Sequence, residues 1–252
     1  MRKIFSLFGC IILSININAQ NTPTEVDKLR TESGVDPTRI NSRAGYSLMY
    51  YTAQDNNRSI VTNRLNLTLG VNRWSFSVKP DITSVNDGIS GFQTGLGDVK
   101  FNILNAFYVS DQYALAGSVE FGLPFAKAGY GSPYFSVTPS FVFSYTINPG
   151  FILAVQPQYS FALEKSTHLP DLNMLTVRAF LAKFTKTGYF FVFEPRPSYD
   201  FENKSFDLII SPIVGKSLGG GFNLIGLMEV PVKKETIDQR GILFQVGFNK
   251  NF

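Results

Sequence analysis

The chain predicts an all-β fold, a transmembrane antiparallel up-and-down β-barrel of about twelve strands preceded by a signal peptide. Three observations carry this. Polarity alternates with a period of two from residue 44 to the end. Turn-forming residues recur between the alternating segments. Aromatic residues are abundant, with 24 Phe and 11 Tyr beside 21 Gly, yet mean hydropathy is only +0.04. The oily residues are therefore interleaved with polar ones rather than run together.

The first segment, residues 1–19, reads as a secretory signal. Arg2 and Lys3 supply the charge, Ile4 to Ile15 the apolar run, and Ala19 the small residue before the expected cut. The run is shorter than the roughly 20 apolar residues of a membrane helix. Leu7-Phe-Gly-Cys10 offers a rival lipoprotein-type site. With the cut at Ala19 the mature chain has no cysteine, so disulfides and thiolate chemistry drop out. Residues 20–43 form a polar segment containing Asp27, Lys28, Arg30, Glu32, Asp36 and Arg39. It is expected to be mobile and periplasmic; entry into the barrel as a plug is a second possibility that the sequence leaves open.

The barrel proper is residues 44–252. Strands are predicted at 44–54, 60–71, 74–85, 95–108, 113–125, 134–147, 151–164, 174–186, 189–201, 205–217, 222–233 and 241–252. The connections after the even-numbered strands are tight: Asn72-Arg73, Ser110-Asp-Gln112, Asn148-Pro-Gly150, Thr187-Gly188 and Gly219-Gly-Gly221. Those after the odd-numbered strands are mostly longer and more polar, as at Asn86 to Thr94, Ala126 to Pro133 and Lys165 to Asn173. Short periplasmic turns alternating with longer outer loops are the habit of outer-membrane barrels. The expected location is the outer membrane of a Gram-negative bacterium with both termini periplasmic.

Face parity follows. Leu115, Val119, Phe121, Leu123 and Phe125, then Phe151, Leu153, Val155, Pro157, Tyr159, Phe161 and Leu163, then Tyr189, Phe191 and Phe193, are assigned to lipid. The opposite parity of the seventh strand, Ile152, Ala154, Gln156, Gln158, Ser160, Ala162 and Glu164, is assigned to the lumen. A soluble lipocalin-like barrel would reverse this, but it has no reason to sort its loops by length. Trp74, Tyr113, Phe151, Tyr189, Phe222 and Phe252, with Phe107, are expected at the membrane interface near the short turns. Phe125, Phe135, Tyr199, Phe201 and Phe206 are expected near the long loops. Pro80, Pro139, Pro157, Pro195, Pro197, Pro212 and Pro231 fall inside strands, and bulges or local breaks are expected at several of them.

The same parity gives the lumen a charged belt: Arg64, Lys79, Asp81, Asp98, Lys100, Glu120, Arg178, Glu194, Arg196, Asp207 and Glu229. Acids and bases nearly balance, so pairing is expected. The belt reads either as a rigidifying network or as a polar constriction that selects what passes. Toward the short turns the lumen positions become apolar: Ile152, Phe180, Phe190, Val192, Ile213, Ile225 and Leu227. These read as an internal plug of packed side chains or as an amphipathic path for a partly hydrophobic solute.

Catalytic and metal residues are expected to be absent, and no cofactor is implied. His168, the one histidine, sits in a long loop with Ser166 two residues before it, a spacing that does not make a catalytic pair. Asp81 and Asp98 fit lumen ion pairs better than an acid–base couple. Gly95-Leu-Gly-Asp98 is no phosphate loop because no helix follows it. The net charge of +4 is spread along the chain, so nucleic acid is not the expected partner. Outer-membrane lipids are. The C-terminal strand, Gly241 to Phe252, ends on an aromatic that outer-membrane assembly machinery favours, with Lys250 the lone charge on its apolar face.

Thr94-Gly-Leu-Gly-Asp-Val99, Phe121-Gly-Leu-Pro124 and Gly215-Lys-Ser-Leu-Gly-Gly-Gly221, with the final strand, resemble motifs of the outer-membrane transporter-like proteins of the MetA pathway of phenol degradation. The similarity runs from about residue 94 to the end. That family's Trp-Ser-Leu-Gly-Pro segment stands here as Tyr134-Phe-Ser-Val-Thr-Pro139. The resemblance implies a small outer-membrane barrel moving small solutes, hydrophobic or aromatic ones among them. The expected function is thus a passive channel or transporter-like porin for a small solute not identified by the sequence. The alternatives are a closed barrel that is structural or binds through its loops, and, further off, an outer-membrane enzyme.

Overall fold

The computed structural model describes residues 23–53, 58–164, 171–235 and 240–252. The signal segment with Cys10, and the loop residues Ser166 and His168, lie outside the described residues. Among the described residues one helix, α1 (Pro23–Ser33), precedes twelve strands. These are β1 (Arg43–Ala53), β2 (Ser59–Val71), β3 (Trp74–Asn86), β4 (Phe92–Val109), β5 (Tyr113–Leu123) and β6 (Phe135–Asn148), then β7 (Phe151–Glu164), β8 (Asn173–Phe184), β9 (Tyr189–Asp200), β10 (Ser205–Gly219), β11 (Phe222–Lys233) and β12 (Arg240–Asn251). Each pairs antiparallel with its sequence neighbours, and β1 pairs with β12 to close the barrel. Closure leaves no free edge, so every strand has a ladder on both sides.

Local chemistry sets the hairpins. The β2–β3 turn runs through Asn72 at φ 55°, a left-handed conformation that asparagine tolerates. Gly219, Gly220 and Gly221 all have positive φ and turn β10 into β11. At the other end most connections are longer, but β9 passes to β10 through a four-residue turn, 201–204.

The outward face is apolar around the wall. Leu65, Leu67 and Leu69 on β2, Leu153 and Tyr159 on β7, and Phe244, Val246 and Phe248 on β12 are exposed, while Ala116, Ala154 and Ala182 on the opposite parity are buried. Outward aromatics meet across strands, as in Tyr113 with Tyr145 at 5.2 Å and Tyr46 with Phe248 at 5.8 Å between ring centroids. Such pairs contribute about 0.2–1 kcal/mol each. Among the described residues no helix is long and apolar enough to cross a membrane.

The prolines are absorbed in two ways. Pro80 and Pro231 sit at register shifts, where the ladder slips by one residue. Opposite Pro139, Pro157, Pro195, Pro197 and Pro212 the ladder has gaps on one side but keeps its register. Losing donors without changing register preserves the parity of every side chain beyond the gap. A further bulge on β4 between Asn105 and Tyr108 leaves Phe107 and Tyr108 both exposed.

Segment 23–42 is not a strand and does not stay outside. Helix α1 is seated at the short-turn end of the barrel. Val26 and Leu29 pack into a buried cluster with Ile152 and Ala154 of β7, Phe180, Ala182 and Phe184 of β8, and Phe190 and Val192 of β9. Burying each of the two helix side chains is worth about 1.5–3 kcal/mol. Gly215 on β10 makes the cluster possible, since a Cβ there would lie 2.0 Å from Phe190 Cζ. The helix ends at Gly34, whose φ of 70° suits a left-handed C-terminal cap. The chain then crosses to the opposite wall, where Ile40 packs on Leu104, Ala106, Ala116 and Val142.

Candidate pore and its closure

Two features occupy the inside of the barrel: a charged belt near the middle of the strands and the N-terminal plug below it. The belt's side chains come from alternate residues on one parity, which places them opposite the apolar outer rows.

On one side of the barrel, Arg64 of β2 grips Asp81 of β3 with two parallel hydrogen bonds, each 2.7 Å. Lys79 of β3 donates to Glu120 of β5 at 2.8 Å, and Lys100 of β4 approaches the other Glu120 oxygen at 3.8 Å. A contact between β3 and β5 skips the strand between them. It requires side chains that converge on the concave, inner face. On another side, Arg178 of β8 donates through Nε to Glu194 of β9 at 2.6 Å. Arg196 of β9 lies 3.5 Å from the same carboxylate oxygen and also pairs with Glu229 of β11. Glu194 is 1% exposed, and such a buried carboxylate needs its two guanidinium partners.

A hydroxyl wall joins these two sets. Ser118 meets Ser140 at 2.7 Å, Thr138 meets Ser160 at 2.9 Å, and Thr176 meets Ser198 at 2.9 Å. Gln156 donates to Ser140 at 3.0 Å.

Two residues assigned to the belt by parity also bind loop backbone. Asp98 lies in the bulge opposite Asp81 and accepts from the backbone nitrogen of Ser132 at 2.7 Å, pinning the β5–β6 connection. Asp207 accepts from the backbone nitrogen of Glu235 at 2.7 Å at the long-loop end. Glu235 in turn accepts from Phe206 N at 2.9 Å and pairs with Lys233 at 2.7 Å. The Lys233 ammonium and then the Phe206 amide hold the Glu235 carboxyl below its ordinary value. In the β3–β4 loop, backbone amides of Ser90 and Ile89 do the same for Asp87.

The plug is fixed by polar groups as well as by its apolar seat. Arg30 Nε donates to Asp36 Oδ2 at 2.6 Å, and both side chains are almost fully buried. Asp36 also accepts from the Thr38 backbone at 3.0 Å and hydroxyl at 2.6 Å, folding residues 33–39 back beneath the helix. Arg30 Nη1 reaches Thr146 of β6 at 2.7 Å. The carbonyl of Glu32, one of the last of the helix and without a partner inside it, accepts from Asn223 at 2.9 Å and Asn251 at 2.8 Å. Ser42 Oγ accepts from Gly70 N at 3.0 Å, and Ser42 O accepts from Phe252 N at 3.0 Å. The segment is thus tied to β2, β6, β11 and β12 around the rim. Between it and the β2–β3 turn a cavity of about 290 Å³ is left, lined by Thr31, Arg39, Ile40, Asn72, Arg73 and Ala106 among others.

The apolar lumen residues are therefore the seat of the plug. Ile152, Phe180, Phe190 and Val192 form it, and Ile213 and Ile225 pack at its margin. Leu227 is only partly buried and stands apart from the cluster. The plug itself carried little sequence signal: Val26 and Leu29 are separated by one helical turn in an otherwise polar stretch. The pointer was on the wall, where apolar residues faced a lumen and required a cover.

The aromatics assigned to the short-turn interface are on the outside. Trp74, Tyr113, Tyr189, Phe222 and Phe252 are exposed, and Phe151 is half-buried. Lys250 lies over the Phe222 ring at 4.4 Å and donates to the carbonyl of Gly220. Lys216 repeats the arrangement over Tyr189 at 4.0 Å, donating to Thr187. Each lysine stem follows the apolar wall while its ammonium reaches a turn carbonyl. Among the described residues no group of His, Cys, Asp and Glu could hold a metal ion.

No protein-family model matches the chain, and no curated protein matches it. Solved structures do. The chain is similar to an outer membrane channel from Pseudomonas putida F1, with a TM-score of 0.66 at 8% identity over 84% of this chain and 96% of that one. It is similar to the NanC porin, with a TM-score of 0.63 at 10% identity over 83% and 100%. It is also similar to the CymD monoaromatic hydrocarbon channel, with a TM-score of 0.50 at 8% identity over 90% and 92%. At these identities the likeness is one of fold: a closed antiparallel barrel of the porin and channel type.

Proposed function

We propose that the protein is an outer-membrane barrel that conducts small solutes passively, with both termini on the periplasmic side and the N-terminal helix closing that side. The observation that carries this reading is the layered wall: apolar outside, a ring of paired charges and hydroxyls inside. A barrel needing only rigidity fills its centre more cheaply with apolar side chains, because buried ion pairs gain little over packed hydrocarbon. The porins and channels of the same fold support the reading. So does the motif resemblance to the phenol-degradation transporter family, which remains part of the proposal. Helix α1 occupies the apolar part of the lumen, so the polar belt is the better guide to what passes.

The seated helix itself favours a second reading, a closed barrel that binds or supports through its outer loops. Planar-bilayer conductance and liposome swelling with the purified full chain separate the two. Channel steps or solute-dependent swelling are expected. Silence with every solute, in the native protein and in variants whose helix is released, would leave the closed barrel.

A further inference from the structure

Two pairs of the belt present their signs unequally. In the Arg64–Asp81 pair the guanidinium side chain is 27% exposed and the carboxylate 6%. In the Arg178–Glu194 pair the values are 32% and 1%. In these two pairs the acid lies back against the wall and the cation stands over it, whereas Lys79–Glu120 and Arg196–Glu229 expose both signs about equally. In direct ion pairs five cations (Arg64, Lys79, Lys100, Arg178, Arg196) share four carboxylates (Asp81, Glu120, Glu194, Glu229). Glu120 serves both Lys79 and Lys100, holding the first by a 2.8 Å hydrogen bond and the second only at 3.8 Å. Glu194 serves both Arg178 and Arg196. Asp98, at the level of Asp81, and Asp207, at the long-loop end, add acids to the same face, and each also accepts from loop backbone.

Lys100 has the loosest partner of the five, and Arg178 shares its carboxylate with Arg196. They are also the most exposed cations of their sets, at 34% and 32%. They stand on β4 and β8, separated by the hydroxyls of β5, β6 and β7. Guanidinium and ammonium groups flanking serine and threonine hydroxyls form a surface that a carboxylate-bearing, hydroxyl-tolerant solute satisfies and a cation does not.

We propose that the belt is a binding station for small organic anions, with Lys100 and Arg178 as its selecting cations. This rests on the inward, pore-lining reading of the belt and names the solute class for it. Anions are drawn to the station from the long-loop end, and the salt dependence is that of a partly screened site.

The test measures binding rather than flux. The full chain, folded in a neutral detergent, is titrated calorimetrically with succinate, with neutral succinamide and with the dication putrescine. Succinate should bind, weakening as salt rises, while succinamide and putrescine should not. Lys100→Gln and Arg178→Gln should each weaken succinate roughly fivefold, and Arg178→Lys should retain most of it. Heat-modifiable gel migration confirms that each variant is folded, and Lys100→Gln tests the idea even where the Arg178 variants are not. Putrescine binding as tightly as succinate, succinate not binding, or indifference to both Gln substitutions would overturn the proposal. Absence of conductance in bilayers with succinate binding intact would instead remove the channel reading and leave the station.

Discussion

Asn251 of β12 donates its side-chain amide to the backbone carbonyl of Glu32 at 2.8 Å, so the strand that closes the barrel also holds the helix that precedes its first strand. Asn223 of β11 makes the same bond at 2.9 Å and is itself fully buried. One helix carbonyl thus has two donors on the wall, and the helix end would otherwise be an unpaired buried acceptor.

The double variant Asn223→Ala/Asn251→Ala should loosen the plug while leaving the barrel folded. Two hydrogen bonds contribute together about 2 kcal/mol, a shift of roughly thirtyfold toward the released helix. In bilayers the expected result is more frequent or longer openings than in the native protein. Unchanged gating, with cysteine labelling showing residue 32 newly accessible, would mean that helix release does not govern flux.

The Arg30–Asp36 pair makes a stronger prediction. Both groups are almost fully buried, and removing one partner of such a pair costs about 3–5 kcal/mol because the other is left charged and unpaired. Arg30→Met should therefore expose residues 23–42 to protease, while the barrel keeps its resistance and its heat-modifiable migration. The double variant Arg30→Met/Asp36→Asn should recover most of the protection, since it removes both charges together and keeps an acceptor for Thr38.

How much of this was legible in the sequence depended on periodicity. The strands and hairpins were, because a period of two with Asn72-Arg73 or Gly219-Gly-Gly221 between runs leaves few alternatives. The bulges at Pro80 and Pro231 were expected as a class. Which in-strand prolines would shift register and which would only open a gap depends on neighbouring strands that the sequence does not place. That the belt's charges would pair was expected from parity; that Arg64 takes Asp81 and Arg178 takes Glu194 depends on strand register, which parity does not give. The loop contacts of Asp98 and Asp207 were not legible either, because parity gives a face and not where a neighbouring loop folds. Helix α1 was the least legible element. Its isolated helical tendency is weak, and it is stabilised by a seat built from β7, β8 and β9.

Gly215 tests that seat without touching the helix. A side chain there would overlap the Phe190 ring, which has no exposed surface and nowhere to retreat except toward Val26 and Leu29. Gly215→Val should displace Phe190 and cost about 1–3 kcal/mol by overpacking. The midpoint of barrel unfolding in denaturant should fall, and the helix should become protease-sensitive as in Arg30→Met. Gly226, whose added Cβ would have only ordinary contacts with Val214, is the control, and Gly226→Ala should be mild.

At the opposite rim, Glu235 clips the β11–β12 connection to the start of β10 through Phe206 N and Asp207. Its carboxyl is held below the ordinary glutamate value by Lys233 and the Phe206 amide. The sign follows from linkage: a depressed carboxyl stabilises the clip above the unfolded-state value and loses it as pH falls through the folded one. The clip should be intact at neutral pH and open only in acid below the usual glutamate range. Carbon-13 NMR of Glu235 should titrate with a low midpoint, and hydrogen exchange at the Phe206 amide should accelerate over the same interval. Glu235→Gln should raise that exchange at neutral pH and remove its acid dependence. A Glu235 midpoint at or above the ordinary value would show that the Lys233 and Phe206 contacts do not hold the carboxylate in solution.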